Sequence, residues 1–511
     1  MLTTLTDRDK ATLRTAAYGA LSLMAATGMP HSAVTKGSLV LASSTGPVGH
    51  VLAAKTKDVV LKGKTVAELA DRVLPALTAS VNLLATQDRV EAGNFRGTVL
   101  AAIGAGARPR STEPDYLAAE MIRKITAALD AGDNSGVLPA SAWPDARKLQ
   151  KTLDDIVDSG FTGITLRVRD AQGEWTGSAG VSVLGETAKP PIDGHIRIGS
   201  NTKTFTATLV LQLVAEGRVG LDTPVATYLP EFGLDERITV RMLLQHTSGI
   251  FNFTGEYFPD GTIVAGIAAT PSGKEWVDNR FRTYQPDELV RVALSKPARF
   301  EPGAGWSYSN TNYVLARLLI EKVTGRPVAQ EMQRRILGPL GLTGTVAPTS
   351  QTEIPAPHAH AYYRYEDAGE QRTVDVTEHN PSWISSGGDM ISTTRDLQTF
   401  ISALNSGKLL PPELLDEMRA PHPTGIPGMD YGLGVFVQDT GHGTVITHNG
   451  GAAGHGALMF STPDGSKTLT AALNYVDDAE MSLSAAFQTA LQRLVEEVFG
   501  GGQSDPADLM S

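Results

Sequence analysis

The stretch "IRIGSNTKTFTA" runs from Ile196 to Ala207 and places a polar Ser-Asn-Thr-Lys step between a strand-like apolar segment and a helix. Ser200 could simply be an N-cap, because a serine side chain there satisfies a free backbone N–H of the first turn. The same spacing also suits chemistry. Residues three apart share a helix face, so Ser200 and Lys203 point the same way across about one turn. A serine hydroxyl attacks only when a nearby base takes its proton, and lysine can be that base once burial or neighbouring positive charge depresses its pKa. The helix N-terminus also favours negative charge developing at Ser200. The helix expected from about Asn201 to Glu216 is apolar nearly all round, at Phe205, Leu209 and Leu213 among others, which predicts a buried central helix ended by Gly217.

Outward from this point, "GITLRVRD" (163–170) and "EWTGSAGVSVL" (174–184) read as a hairpin. A long helix and loop region follows to about residue 420 and includes "NTNYVLARLLIEKVTG" (310–325). Strands return at 431–439, 444–451, 454–463 and 467–475, and a last long helix spans 480–500. Strands at both ends with helices between predict an α+β fold: one antiparallel sheet built from distant parts of the chain, flanked by helices, with a helical insertion. Ahead of it, residues 1–132 read as a small mainly α domain, because 66–87 and 117–132 repeat apolar side chains at three- and four-residue spacing. Within it, 37–54 reads as a short strand or a turn. Gly, Ser, Pro and Asp mark 133–142 as a linker, which leaves 143–500 as the second domain and 501–511 as a frayed tail.

The 511 residues carry a net charge of -11, which argues against a primary nucleic-acid or anionic-membrane role. With no cysteine, disulfides, thiolate metal sites and cysteine catalysis are excluded. No stretch approaches the roughly 18 apolar residues of a membrane span. The start of the chain, with two aspartates ahead of an apolar run broken by Tyr18, Gly19 and Ser22, reads as an amphipathic helix rather than a secretion signal, so a cytoplasmic location is expected. No α/β-hydrolase elbow, zinc-peptidase pair, P-loop or dinucleotide fingerprint follows a suitable strand, and neither a metal nor a cofactor is expected.

Two further motifs accompany Ser200 and Lys203. "GWSYSNTNY" (305–313) holds Tyr308 and Asn310 just before a helix, and "ITHNGG" (446–451) lies late on an expected strand. A tyrosine near a lysine loses its proton more easily, and an asparagine side chain can hold a substrate amide by both donor and acceptor. In this order, with "LLQHTSGI" (243–250) and "SSGGDMISTTRDLQTF" (385–400), the motifs resemble the penicillin-recognising serine hydrolases: class C β-lactamases, D-alanyl-D-alanine carboxypeptidases and related esterases. The resemblance covers about residues 143–500, leaves 1–132 outside, and implies a β-lactamase/transpeptidase-like fold.

Carried onto this sequence, the resemblance implies Ser200 as the acylated nucleophile and Lys203 as its proton partner. Tyr308 would act as general base and then general acid, Asn310 would orient the acyl amide, and His448 would occupy the third motif. The oxyanion hole would come from the N–H groups of Ser200 and Gly451. Asn449, beside Gly450 in the substrate site, stands where the family usually has threonine, which shifts the expectation from a free carboxylate toward ester, amide or thioester substrates. The implied activity is hydrolysis, through an acyl-serine, of a D-alanyl peptide, ester or amide. The alternatives are a transacylase, or a non-catalytic binding or sensor protein whose N-terminal helical domain recruits a protein partner or self-associates.

Other residues read more plainly. His246 suggests a structural turn, Trp306 and Trp383 packing, and Asp389 and Arg395 structural roles. The pair His358 and His360 lacks an acidic ligand pattern, His442 and His455 merely flank the third motif, and "SAVTK" (32–36) has one residue too many for the Ser-x-x-Lys spacing.

Overall fold

A computed structural model of the protein describes residues 5–27, 29–44, 46–54, 65–85, 87, 89–104, 116–133, 146–258, 262–267 and 273–500. The chain divides into two compact units, Met1–Leu138 and Pro139–Ser511.

Among the described residues of the first unit, all regular structure is helical. Its first helix, Asp7–Ala26, opens with a reciprocal cap: Thr6 accepts from the Asp9 N–H while the Asp9 carboxylate accepts from the Thr6 N–H. Leu13, Leu21, Leu77, Phe95 and Ile125 meet in a core of their own. The stretch 37–54 departs from its expected strand or turn: it belongs to helices His31–Ala42 and Gly46–Ala53. Leu41, Val48 and Leu52 are buried in the helical core, and that burial overrides the weak local preference of the Ser, Gly and Val around them. The helix Tyr116–Asp133 runs into the start of the expected linker; the rest of 133–142 and the expected tail 501–511 lie outside the described residues.

The second unit is built on an antiparallel sheet of eight strands: β1 Gly163–Asp170, β2 Gly173–Gly180, β3 His422–Ile426, β4 Met429–Tyr431, β5 Phe436–Asp439, β6 Thr444–Ala452, β7 His455–Ser461 and β8 Thr468–Asn474. Their order is β2-β1-β8-β7-β6-β5-β4-β3, and β1 pairs with β8 in a register that sets Gly163 opposite Asn474. The sheet drawn from distant parts of the chain is therefore present, with three differences of detail. β2 stops at Gly180, whose φ of 77° turns the chain out of the sheet. The run 431–439 is two strands, because the chain turns at Gly434 (φ 81°) and tucks against the helix behind the cleft, where Thr204 Oγ1 donates to the Gly434 carbonyl at 2.8 Å. β3 had no counterpart in the sequence reading.

Alternation along β7 separates the two faces of the sheet. Ala457 and Met459 join the core that holds helix Asn201–Ala215 and helix Thr394–Asn405, whose Phe205 and Phe400 rings stack at 3.6 Å. Phe460 faces the other way, 6.5 Å from Phe499 on the terminal helix Ser484–Phe499. That helix is tied to helix Ala146–Asp158 by Arg493 on Asp155 at 2.7 Å and by the Thr152 hydroxyl on Glu497 at 2.7 Å. The central helix is buried from Asn201 to Leu211 without interruption and is closed by Gly217 at φ 67°. No described helix is long and apolar enough to cross a membrane.

Candidate active site

Ser200 occupies the N-cap position of the central helix, yet its hydroxyl makes no capping hydrogen bond. The hydroxyl is turned to two other groups instead. Lys203 Nζ lies 3.1 Å from Ser200 Oγ, and the Tyr308 side chain is hydrogen-bonded to Ser200. Lys203 is 0% exposed; it also donates to Asn310 Oδ1 at 2.7 Å and to the Gly387 carbonyl at 2.6 Å, and lies 4.7 Å from the centre of the Tyr308 ring. Burial pushes its pKa well below the ordinary lysine value, opposed by the carboxylate of Asp389. A neutral amine has two N–H groups and one lone pair. As placed, Lys203 donates to Asn310, Gly387 and Ser200 Oγ; in its neutral form, with Asn310 and Gly387 taking the two N–H groups, its lone pair would face the serine proton.

Tyr308 is also shifted, in the direction opposite to that expected for a tyrosine beside a cation: burial raises its pKa, and the hydrogen bond to Ser200 only partly offsets this. Burial therefore keeps the proton on Tyr308. His246 supports this side of the cleft. It ends helix Val240–Gln245 in a left-handed conformation (φ 64°), accepts the Ser309 N–H at Nδ1 (3.2 Å), and its ring lies 4.4 Å from that of Tyr308.

His448 lines the cleft with both ring nitrogens engaged. Nδ1 lies 2.9 Å from the Asn449 carbonyl, so it carries the hydrogen, and Nε2 lies 3.2 Å from the Tyr431 hydroxyl, which donates to it. Burial, and then the nearby Lys203, lower its pKa to about 3, so the ring is neutral. Asn310 is likewise occupied: beside accepting from Lys203, its Nδ2 donates to Thr254 Oγ1 at 3.2 Å. Its side chain thus cradles the lysine.

Strand β6 passes directly across the start of the central helix. A Cβ on Gly450 would overlap the Ile198 carbonyl and lie 2.5 Å from Ser200 N, and Gly199 (φ 50°) is pressed against Gly451 N in the same way. The Ser200 N–H donates to no acceptor among the described residues. Asn449 lines the cleft, and its buried side-chain amide oxygen has no hydrogen-bond partner among the described residues.

The cleft in front of Ser200 encloses about 500 Å³, and Ser200, Tyr308, His448, Asn449, Gly450 and Gly451 all line it. The rest of its lining comes from segments to which the sequence reading gave no role: Phe161, Phe436, Tyr475, Asp477 and the start of the terminal helix. The loop carbonyl of Gly387 was missed too, because a backbone oxygen leaves no mark in residue type. Among the remaining candidates, Asp389 lies buried behind Lys203, burial raising its pKa to about 6. Arg395 pairs with Asp193 at 2.9 Å and His360 with Asp375 at 2.6 Å. His442, His455, Trp306 and Trp383 are not part of the cleft wall.

Residues 147–493 match the family described as Beta-lactamase. Penicillin-binding protein 4* of Bacillus subtilis (strain 168) is 27% identical over 363 residues, covering 68% of this chain and 75% of its own. Esterase EstB of Burkholderia gladioli is 36% identical over 157 residues, 29% of this chain and 38% of its own. Among solved structures, a D-stereospecific amidohydrolase from Streptomyces sp. is 37% identical with a TM-score of 0.60, over 70% of this chain and 100% of its own. D-amino acid amidase from Ochrobactrum anthropi SV3, complexed with D-phenylalanine, is 28% identical with a TM-score of 0.60, over 70% of this chain and 99% of its own.

Proposed function

Because the chain belongs to the beta-lactamase family, we propose that it is a metal-independent hydrolase that acylates Ser200, with amides, peptides or esters of the D-amino acid type as acyl donors. The observation that carries this reading is the position of Lys203: fully buried, its two N–H groups engaged by Asn310 and Gly387, 3.1 Å from Ser200 Oγ. The D-configuration comes from the amidohydrolase and amidase relatives, which align with nearly their whole length.

In the first half-reaction Ser200 Oγ adds to the substrate carbonyl and its proton passes to the Lys203 lone pair. The developing oxyanion is received by the N–H groups of Ser200 and Gly451, which the close crossing of β6 at Gly450 supports. Tyr308, held protonated by burial, gives its phenolic proton to the departing nitrogen or oxygen. This leaves a tyrosinate beside a lysine ammonium, each stabilising the other. In the second half a water loses a proton to Tyr308 as it attacks the acyl carbon, and Ser200 Oγ leaves with the proton held on Lys203. Every group returns to its starting state. His448, neutral and bonded at both nitrogens, keeps β6 and Tyr431 in place and takes no proton.

Intact-mass measurement with an activated ester or a β-lactam should give one covalent adduct on the wild type and none on Ser200→Ala. An adduct that persists in Ser200→Ala would overturn the assignment.

A further inference from the structure

The lining of the cleft also holds a feature that the acyl-serine chemistry does not use. Asp477 lies on the short strand Val476–Asp478, which leaves β8 and runs beside Tyr362–Asp367. It is the one acidic or basic chain-charged residue among the described residues lining the cleft, the other lining groups being apolar, neutral or the uncharged His448. Its neighbour shows the contrast. Asp478 turns away and binds Arg364 at 2.6 Å, whereas Asp477 has no cationic partner among the described residues. Its carboxylate is instead fixed by backbone: the Asp478 N–H donates to it at 3.0 Å, and a second bond comes from Gly454. Each carboxylate oxygen still has lone-pair capacity, and an anion facing a largely apolar cavity calls for a cation. Asn449, which lines the same cleft, has a buried side-chain amide oxygen without a hydrogen-bond partner among the described residues. A carboxylate held only by backbone N–H groups, with lone pairs to spare, suits a ligand that brings a cationic N–H donor.

Beside Asp477 the wall is aromatic. Phe161 packs against Tyr475 at 5.8 Å and against Phe487 at 6.3 Å between ring centres, and the three rings form one surface of the cleft. We propose that Asp477 receives the α-ammonium group of the acyl moiety, so that the preferred donors are aminoacyl amides or esters with a free amino group and an aromatic or bulky apolar side chain packed on Phe161, Tyr475 and Phe487. The proposal rests on Ser200 being the acylated residue, since that fixes which end of the cleft holds the carbonyl. The carboxyl of Asp477 is itself raised to about 6 by burial, so it is ionised at neutral pH and ready to pair.

The test separates recognition from chemistry by using full-length protein carrying Ser200→Ala. Calorimetry compares D-phenylalaninamide with 3-phenylpropionamide, which differ only in the ammonium group, in Ser200→Ala alone and combined with Asp477→Asn or Asp477→Ala. The expected result is that the ammonium ligand binds more tightly to Ser200→Ala, and that either Asp477 substitution cuts its advantage over 3-phenylpropionamide about 10-fold or more, the size of a charge-assisted bond. Retained binding of 3-phenylpropionamide reports that the variants are folded. An advantage that is absent at the outset, or that survives both substitutions, overturns the proposal. Because no covalent step is read, this result is independent of the adduct test for Ser200.

Discussion

Lys203 is the residue on which the electrostatics of the site turns. Its folded pKa lies well below its unfolded value, so between the two only the unfolded chain holds the proton, and raising the pH favours the fold. Wild-type protein should therefore gain stability relative to Lys203→Met as the pH rises from 8 to 10, with a slope approaching about 1 kcal/mol per pH unit. Denaturant unfolding of both proteins across that range checks it, and parallel curves would mean that Lys203 is charged in the fold. The Ser200, Lys203 and Tyr308 constellation was legible in the sequence because identity and spacing are local properties. What surrounds them was not: the Gly387 carbonyl, Asp389 and Asp477 reach the site from separate loops and a late strand. Occupancy was equally invisible: the polar side-chain atoms of Asn310 and His448 are already taken by protein groups.

At the level of elements, strand β6 and the central helix meet with no room for a side chain. Gly450→Ala should slow acylation of Ser200 by about 100-fold or more, since the added methyl pushes β6 away from Ser200 N and displaces the Gly451 N–H proposed as an oxyanion donor. Gly217→Ala, at φ 67° with open space around it, should cost about 1 kcal/mol of stability and leave the acylation rate as it is. Stopped-flow acylation and thermal unfolding of the two variants, measured side by side, check the contrast. The central helix and the sheet strands were readable from period and turn residues. The stretch 37–54 was not, because its helical state is set by burial of Leu41, Val48 and Leu52 among partners far along the chain. The break at Gly434 was missed too: the glycine itself allows the turn, and the Thr204 hydroxyl that holds its carbonyl comes from a distant helix.

For the whole molecule, the two units have separate cores, and residues 1–146 lie outside the family match. The fragment Pro139–Ser511 expressed alone should form the Ser200 adduct within about twofold of the full-length rate, and calorimetry of the intact chain should show two transitions, only one of them raised by a cleft ligand. A fragment that fails to acylate would make the helical unit a participant in the site. The sheet order has a further consequence, for the timing of assembly. β8 lies between β1 and β7, so the hairpin made early in synthesis has no partner until Thr468–Asn474 has emerged, and closing that gap makes folding dominated by distant pairings and slow. Ser200 and Lys203 leave the ribosome long before Gly451 and Asp477. On the acyl-serine mechanism proposed above, the nascent chain carries Ser200 while still lacking Gly451 and the Tyr475–Asp477 lining, and it should become reactive only when its last strands lock into place.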